Sequence, residues 1–104
     1  MESTDKIFDA LSDVKRRRIL VHMLSHNPED DSKLYIVDDG ASDEELRQLL
    51  VEMEHTHLPK LEEYGFIDWD KDKGKVTKGP NYDVIKPILE LMLNHQDELP
   101  DGWL

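Results

Sequence analysis

The chain contains no cysteine and no long apolar run. Without cysteine it can form no disulfide, no thiolate metal site and no cysteine nucleophile, so its stability must come from packing. No segment approaches the roughly 20 consecutive apolar residues that a membrane span requires. The opening MESTDKIFDA is acidic and differs from a basic leader followed by an apolar segment. We therefore expect a soluble, cytoplasmic protein that has no membrane partner.

Basic residues are scarce compared with acidic ones. The 104 residues include 24 acidic and 13 basic side chains, and the formal net charge is −11 at pH 7. A nucleic-acid-binding protein is usually basic, so this balance counts against DNA binding. An acidic surface is also what we expect of a chain that works in concentrated salt. There the screening length falls to about 3 Å at 1 M, and net repulsion from DNA largely disappears.

Apolar residues at helical spacing predict two helices near the start of the chain. The first covers residues 5–11, and the second covers residues 13–25 with Ser12 as its N-cap. Residues 26–33, HNPEDDSK, have the composition of a solvated loop. A short strand candidate at residues 34–37 follows, and an Asp-Asp-Gly turn comes after it.

Ser42 predicts a third helix that starts at Asp43, because a glutamate three residues later completes a capping box. Apolar residues then continue at steps of three and four until Pro59, which removes one backbone hydrogen bond and clashes with the preceding turn. Two interpretations follow. Either the helix kinks near His55, or a separate helix begins near Thr56, and the second interpretation gives a helix-turn-helix.

Residues 54–77 show the order helix, glycine stop, strand, turn and second strand. Gly65 fits the position after a helix, where a positive φ carries no steric penalty for glycine. β-Branched and aromatic residues follow at residues 66–69, and an Asp-Lys-Gly tip turns the chain back. This order is typical of the second half of a winged helix. Further on, apolar residues predict a last helix over residues 82–95, and residues 96–104 form an irregular tail.

Two stretches of the sequence resemble known winged-helix proteins. LSDVKRRRIL, at residues 11–20, resembles the opening helix of winged-helix repressors related to the arsenical-resistance regulators, in which LxDxxRRRIL is common. THLPKL at residues 56–61 and YGFIDWD at residues 64–70 resemble a group of haloarchaeal winged-helix proteins. The resemblance spans roughly residues 10–77. It implies a three-helix core with a β-wing, dimerisation through terminal helices and a role in transcriptional regulation.

We predict an α+β fold, a winged helix-turn-helix with a C-terminal dimerisation helix, in a single domain over residues 1–104. Residues 5–77 form the helical core and wing. The last helix is apolar over most of its circumference, and a helix with two apolar sides usually buries the second against a partner. The residues predicted to form this homodimer interface are Val84, Ile85, Ile88, Leu91 and Met92.

Three groups of residues are predicted to contact duplex DNA. A basic run just after a helix N-cap can hold phosphate, although it can also be a solvated face paired with nearby acids. Lysines that alternate along the wing can lie along DNA phosphates, or can simply solubilise the hairpin tip. Non-acidic polar residues of the recognition helix can approach bases. In that order, the groups are Arg16, Arg17 and Arg18; Lys71, Lys73 and Lys75; and His55, Thr56 and Lys60.

Catalytic and metal-binding patterns are weak in this sequence. It contains no GxSxG, no HExxH and no glycine-rich phosphate loop, so we predict no enzymatic activity and no cofactor. His22 and His26 stand four residues apart, a spacing that allows shared metal coordination, but no third ligand is obvious, and no metal site is predicted. His57 lies on the apolar side of its helix, so we expect a buried, hydrogen-bonded imidazole.

Two functions from different classes fit these observations. The first is a DNA-binding transcriptional regulator of a salt-adapted archaeon that binds duplex DNA as a homodimer through its recognition helix and wing. The second is a winged-helix protein-interaction module whose acidic helix surface binds a basic partner without DNA contact. The acidic residues that favour the second function are Glu52, Glu54, Glu62 and Glu63.

Overall fold

Helices form most of the structure, a computed structural model that describes residues 3–34 and 40–104. A π-helical turn joins two of the α-helical segments end to end, so the described residues form four longer helices besides two short 3-10 helices. The segments are α1 (Ser3–Leu11), α2 (Val14–His22), α3 (Asp43–Glu52), the π-helical turn (Met53–His57), α4 (Leu58–Glu63) and α5 (Tyr82–Asn94), with 3-10 helices at Asp31–Leu34 and Gln96–Glu98.

Three short strands form one antiparallel sheet. They are β1 (Glu29–Asp30), β2 (Ile67–Asp70) and β3 (Lys75–Lys78), and β3 lies in the middle of the order β1-β3-β2. The predicted α+β class is confirmed, and β2 and β3 form the predicted hairpin. The predicted loop at residues 26–33 is wrong in part, because β1 lies inside it. Two residues that pair only with a distant strand leave no local sequence pattern.

The helix ends agree with the sequence prediction at some positions and differ at others. Ser42 caps α3 by accepting a hydrogen bond from the backbone N–H of Glu45, as predicted. The cap of α2 is Asp13, whose carboxylate accepts from Lys15 N at 2.8 Å, and Ser12 instead donates to a carbonyl of α1. A carboxylate is also favoured over a hydroxyl at a helix N-terminus by the helix dipole.

The helix does not break at Pro59. The N–H of Leu58 donates to the carbonyl of Met53, five residues back, and this wider turn comes immediately before the proline. Because the π-helical turn interrupts the regular i to i+4 pattern, the helix can continue through a residue that has no N–H. Of the two interpretations, the structure therefore agrees better with one helix that is distorted near His55. No separate helix begins near Thr56.

One core lies between the helices and the sheet. Gly65 has φ of 77° and ends α4 as predicted, and Phe66 N then donates to Leu61 O at 3.0 Å. Tyr82, the first residue of α5, donates its hydroxyl to the carbonyl of Leu20 at 2.7 Å. The fully buried residues include Ala10, Leu20, Met23, Leu58, Leu61, Ile67, Val76, Ile85 and Leu89.

The strand candidate at residues 34–37 is not supported where it can be compared with the structure. Leu34 ends a 3-10 helix and is buried. The rest of that candidate and the first two residues of the following turn lie outside the described residues. No helix in the described part of the chain combines the length and the apolar character that crossing a membrane requires.

Candidate functional site

Arg16, the first residue of the predicted phosphate-binding run, has a structural role. Arg16 is 6% exposed and donates four hydrogen bonds. Three of them reach the end of α1, at the carbonyls of Asp9 (2.9 Å) and Ala10 (3.1 Å), and the hydroxyl of Ser12 (3.0 Å). The last carbonyls of a helix lack intrahelical partners, and the guanidinium satisfies them. Because Arg16 is buried and engaged, it is not accessible to phosphate.

The next two arginines differ in their surroundings. Arg17 donates to the carbonyl of Trp103 at 2.9 Å and to that of Leu11 at 2.7 Å, and its guanidinium lies 4.5 Å from the centre of the Trp103 ring. It therefore fastens the C-terminal tail to α2. Arg18 is partly exposed and forms no ion pair with any residue that the structure describes. Of the predicted phosphate-binding run, Arg18 is therefore the one whose head group no described residue engages through a hydrogen bond or an ion pair.

His57 is buried in the π-helical turn, as the sequence predicts, with 4% exposure. Its Nδ1 lies 3.0 Å from Nη1 of Arg16, and since arginine can only donate, Nδ1 accepts and Nε2 carries the proton of the neutral ring. Burial lowers the pKa of His57 from the usual 6.5, partly opposed by the carboxylate of Asp13. The structure therefore favours a neutral imidazole at this position.

This neutral imidazole gives a prediction for the pH dependence of stability. Because the pKa of His57 is lowered in the folded protein, the unfolded chain binds more protons below 6.5. The contribution to the free energy of unfolding is fully present above 6.5 and is lost as the pH falls toward the lower folded pKa. Urea unfolding at about pH 7.5 and about pH 5.5 measures this loss. His57→Gln keeps an acceptor for Arg16 and should reduce the loss, and an unchanged loss would contradict the assignment.

The three polar residues predicted to approach bases do not form one surface. His55 and Thr56 are exposed on the π-helical turn. Lys60 is held toward α1, where its Nζ donates to Oδ2 of Asp9 at 2.8 Å. The same carboxylate accepts the hydroxyl of Tyr64, and the hydrogen bonds from Lys60 and Tyr64 lower the pKa of Asp9. His55 and Thr56 therefore remain available to a ligand, and Lys60 is engaged within the chain.

Helix α3 presents an acidic surface and has no buried residue. Asp43, Glu44 and Glu45 occupy its first turn, and Arg47 lies 3.7 Å from the Glu44 carboxylate. Further along, Val51 is 54% exposed. A shallow depression on this surface is lined by Glu44, Arg47, Gln48, Val51 and Glu52. The surface therefore combines carboxylates with an accessible apolar side chain.

The predicted acidic residues of the long helix have different partners. Glu52 forms an ion pair with Lys15 of α2. Glu62 accepts a hydrogen bond from the backbone N–H of Trp69 at 2.9 Å and so connects α4 to β2. Glu63 is exposed and Glu54 is partly exposed. Two of the four carboxylates therefore have structural contacts, and the acidic surface extends over the exposed side of the helix.

The three lysines predicted on the wing lie on the β2–β3 hairpin, but their contacts differ. Lys75 forms an ion pair with Asp30 of β1, and this hydrogen-bonded carboxylate raises the pKa of Lys75. Lys71 and Lys73 are exposed at the turn, where Nζ of Lys71 lies 5.5 Å from the centre of the Trp69 ring. The tip therefore has two accessible ammonium groups, and the third belongs to the β1–β3 edge.

The predicted interface residues of α5 divide between core and surface. Ile85 and Met92 lie in the core of the chain itself, at 0% and 7% exposure, so they cannot serve a partner. Val84 and Leu91 are 50% and 60% exposed, and Ile88 lies between them and is partly buried. At i, i+4 and i+7, these three residues form a stripe along one side of the helix. Of the predicted interface residues, these three are the ones that a partner could reach.

Two histidines and a glutamate form a cluster between α2 and the sheet. His22 and His26 stack with ring centres 4.1 Å apart, and Glu29 lies beside them as the first residue of β1. Glu29 was missed because its segment has the composition of a loop. A strand pattern predicts an apolar residue at a position that packs inward, so a glutamate at position 29 does not indicate a strand.

Comparison with known families places the chain in one of them. Comparison with curated proteins and with solved structures finds no significant match. A family profile, described as domain of unknown function DUF7344, matches residues 8–77, which is more than half of the chain. The matched segment extends from α1 to β3 and includes the long helix and the hairpin. The chain therefore belongs to the DUF7344 family, whose shared domain has no assigned function.

Proposed function

We propose that this domain is a winged helix, of the class related to the arsenical-resistance repressors, and that it binds duplex DNA as a homodimeric transcriptional regulator. The observation that carries the proposal is the arrangement of the long helix and the hairpin. The helix ends at Gly65 and leads directly into β2, the hairpin returns through β3, and β1 closes the other edge of the sheet. Winged helices that bind DNA have this order of elements.

The hairpin is the main contact in this proposal. Lys71 and Lys73 have accessible ammonium groups at its tip, and ammonium groups bind the phosphates that give most of the affinity for duplex DNA. His55 and Thr56 supply additional exposed polar groups on the π-helical turn, and Arg18 supplies a partly exposed one on α2. Lys75 contributes indirectly, because its ion pair with Asp30 fixes β1 against β3 and so holds the hairpin in place.

The exposed stripe of α5 supports the homodimer in this proposal. Val84, Ile88 and Leu91 offer apolar area that a second copy of the chain can cover, and a two-fold axis pairs the same stripe with itself. Two hairpins would then face the same side of the duplex. Dimeric DNA-binding domains contact half-sites about 34 Å apart, or one helical turn, so the operator should be a two-fold-symmetric sequence.

The acidic surface of α3 opposes DNA at low ionic strength. Asp43, Glu44 and Glu45 occupy the first turn of the helix that would approach a groove. Repulsion between these carboxylates and phosphates is long-ranged in dilute salt and is screened within about 3 Å at 1 M. Binding should therefore depend on shape and on short hydrogen bonds in concentrated salt, where lysine–phosphate attraction is also weaker.

Charge reversal at the hairpin tip tests the DNA proposal. Lys71→Glu combined with Lys73→Glu should abolish binding to duplex DNA, because it replaces two phosphate contacts by two repulsions. Single Lys→Ala changes should each reduce the slope of log affinity against log salt by about 1. Fluorescence anisotropy with labelled duplex, across a salt series, measures both effects.

The matched control places the same charge change outside the hairpin. Lys6→Glu combined with Lys86→Glu alters α1 and α5 and gives the same net charge. This control variant should keep most of the affinity. Equal loss of binding in both variants would show that net charge, rather than the hairpin, governs the interaction.

A protein-interaction module is the second candidate function. The surface of α3 favours it, because exposed Val51 lies beside the carboxylates of Glu44 and Glu52, a combination suited to a basic partner that also offers apolar area. Glu44→Lys with Glu45→Lys should disrupt such a complex and should strengthen DNA binding. The two functions therefore respond in opposite directions to the same variant.

A further inference from the structure

We infer that His22, His26 and Glu29 form a binding site for a first-row divalent metal ion such as Zn²⁺. Each of the three residues offers one ligand atom, and these atoms all lie within 4.8 Å of one another. Imidazole nitrogen and carboxylate oxygen are zinc ligands, and two histidines with one glutamate leave a fourth position for water. The site shares no residue with the hairpin tip or the α5 stripe, so metal binding can be tested independently of the proposed DNA binding.

The histidines come from a single turn at the end of α2. His22 is the last residue of that helix, and His26 follows four residues later, after a turn that brings its ring parallel to the first at an interplanar angle of 8°. The lone pairs of two parallel rings lie in separate planes, so one ring must tilt toward the other for both to coordinate a shared ion. The local backbone therefore places two of the three ligands side by side, within reach of one ion after a rotation of a side chain.

The hydrogen bonds of His26 leave the correct nitrogen free. Its Nδ1 lies 3.2 Å from the carbonyl oxygen of His22, which can only accept, and 3.1 Å from Oγ of Ser25, which can also accept, so a proton on Nδ1 satisfies both contacts. The lone pair of the neutral ring is then on Nε2. Metal-binding histidines commonly donate their second N–H to a backbone carbonyl in this way, which fixes the tautomer and the ring orientation. His26 is therefore prepared for coordination through Nε2.

Glu29 is the buried member of the site. It is 8% exposed, and one carboxylate oxygen accepts from the backbone N–H of Asp30 at 2.9 Å. The other oxygen, Oε2, lies 2.7 Å from Nε2 of His22. Tetrahedral ligands about 2.0 to 2.1 Å from zinc are roughly 3.3 Å apart, so an ion would replace this hydrogen bond after a movement of about half an ångström. The carboxylate is already oriented by β1, which pairs with β3.

Metal binding at this site would join the end of α2 to the edge of the sheet. β1 has two residues, and few hydrogen bonds hold so short a strand. An ion shared by His22, His26 and Glu29 adds a direct connection between the helix and β1. Because the ion binds the folded chain and the assembled ligands are absent from the unfolded chain, it should raise the midpoint of thermal unfolding.

The test uses the full untagged chain with ZnCl₂ and CoCl₂ as probes. Calorimetric titration with ZnCl₂ should give one ion per chain, and CoCl₂ should give the visible absorption bands of a tetrahedral Co²⁺ site. His26→Gln should weaken Zn²⁺ binding at least tenfold and should remove both the Co²⁺ bands and the rise in unfolding midpoint. His26 is exposed, so this change leaves the fold intact. His22→Gln should have the same effect.

The control is His95→Gln, since His95 is an exposed histidine beyond α5, near Glu98. This variant should bind Zn²⁺ as the unchanged chain does. The inference is overturned if the unchanged chain shows no saturable binding of either probe. It is also overturned if His26→Gln and His22→Gln bind as tightly as the unchanged chain, or if His95→Gln loses binding to the same extent.

Discussion

Replacing Arg16 by alanine is expected to lower the free energy of unfolding by about 3 kcal/mol, because the side chain satisfies four acceptors in a buried position. The carbonyls of Asp9 and Ala10, at the end of α1, would lose a charged donor, and His57 would lose the partner of its Nδ1. A loss of this size corresponds to a fall of about 15 °C in the unfolding midpoint of a domain of this length. Thermal and urea unfolding measure it.

Arg18→Ala is the matched control for this prediction. It removes the same charge from the same helix, but Arg18 forms no ion pair in the described part of the chain. The expected change is within about 0.5 kcal/mol, which is usual for a surface substitution. If Arg16→Ala and Arg18→Ala were equally mild, the hydrogen bonds of Arg16 would not stabilise the junction of α1 and α2, and the assignment would be wrong.

Gly79→Ala is expected to cost about 3 kcal/mol through a clash with backbone atoms. A Cβ at this position would lie 2.4 Å from the carbonyl oxygen of Gly65 and 2.8 Å from the nitrogen of Ile67. Two backbone segments lie against each other at this point, since Gly79 N donates to Phe66 O at 3.0 Å and Asn81 N donates to Gly65 O at 2.7 Å. Backbone atoms cannot rotate away, so these bonds at the base of the hairpin must lengthen.

A substitution at a second glycine distinguishes the effect of the clash from the effect of backbone strain. Gly102 has φ of 78° and no heavy atom within 4 Å of an added Cβ, so Gly102→Ala should cost only the penalty of the left-handed conformation, about 1 kcal/mol. Urea unfolding should rank Gly79→Ala well above Gly102→Ala. The reverse order would show that the hairpin base adapts to a side chain, and that its geometry is less fixed than the contacts indicate.

Local chemistry explains the parts of the fold that the sequence predicted. Ser42 and Gly65 determine where the long helix begins and ends through contacts with residues within five positions. The hairpin follows from β-branched and aromatic residues around a glycine turn. Such features depend on neighbours along the chain, so a single sequence contains the information that is needed.

Long-range contacts explain the parts that were missed. β1 exists because residues 29–30 pair with residues 75–76, and nothing within the segment favours a strand. Nothing in the sequence distinguishes Arg16 from Arg17 and Arg18, which are partly exposed, yet Arg16 is buried and contacts His57, 41 residues away. Glu29 joins the two histidines only once β1 has formed. The candidate sites therefore depend on tertiary contacts that composition and periodicity do not describe.

Selection of binding sites from a random duplex library, in about 0.2 M and about 2 M potassium chloride, tests DNA binding by the dimer most directly. A dimeric winged helix should enrich a two-fold-symmetric sequence with half-sites one helical turn apart, and the Lys71→Glu, Lys73→Glu variant should enrich none. Absence of enrichment at both salt concentrations, from chain shown to be folded by circular dichroism, would contradict DNA binding and favour a basic protein partner at the acidic surface of α3.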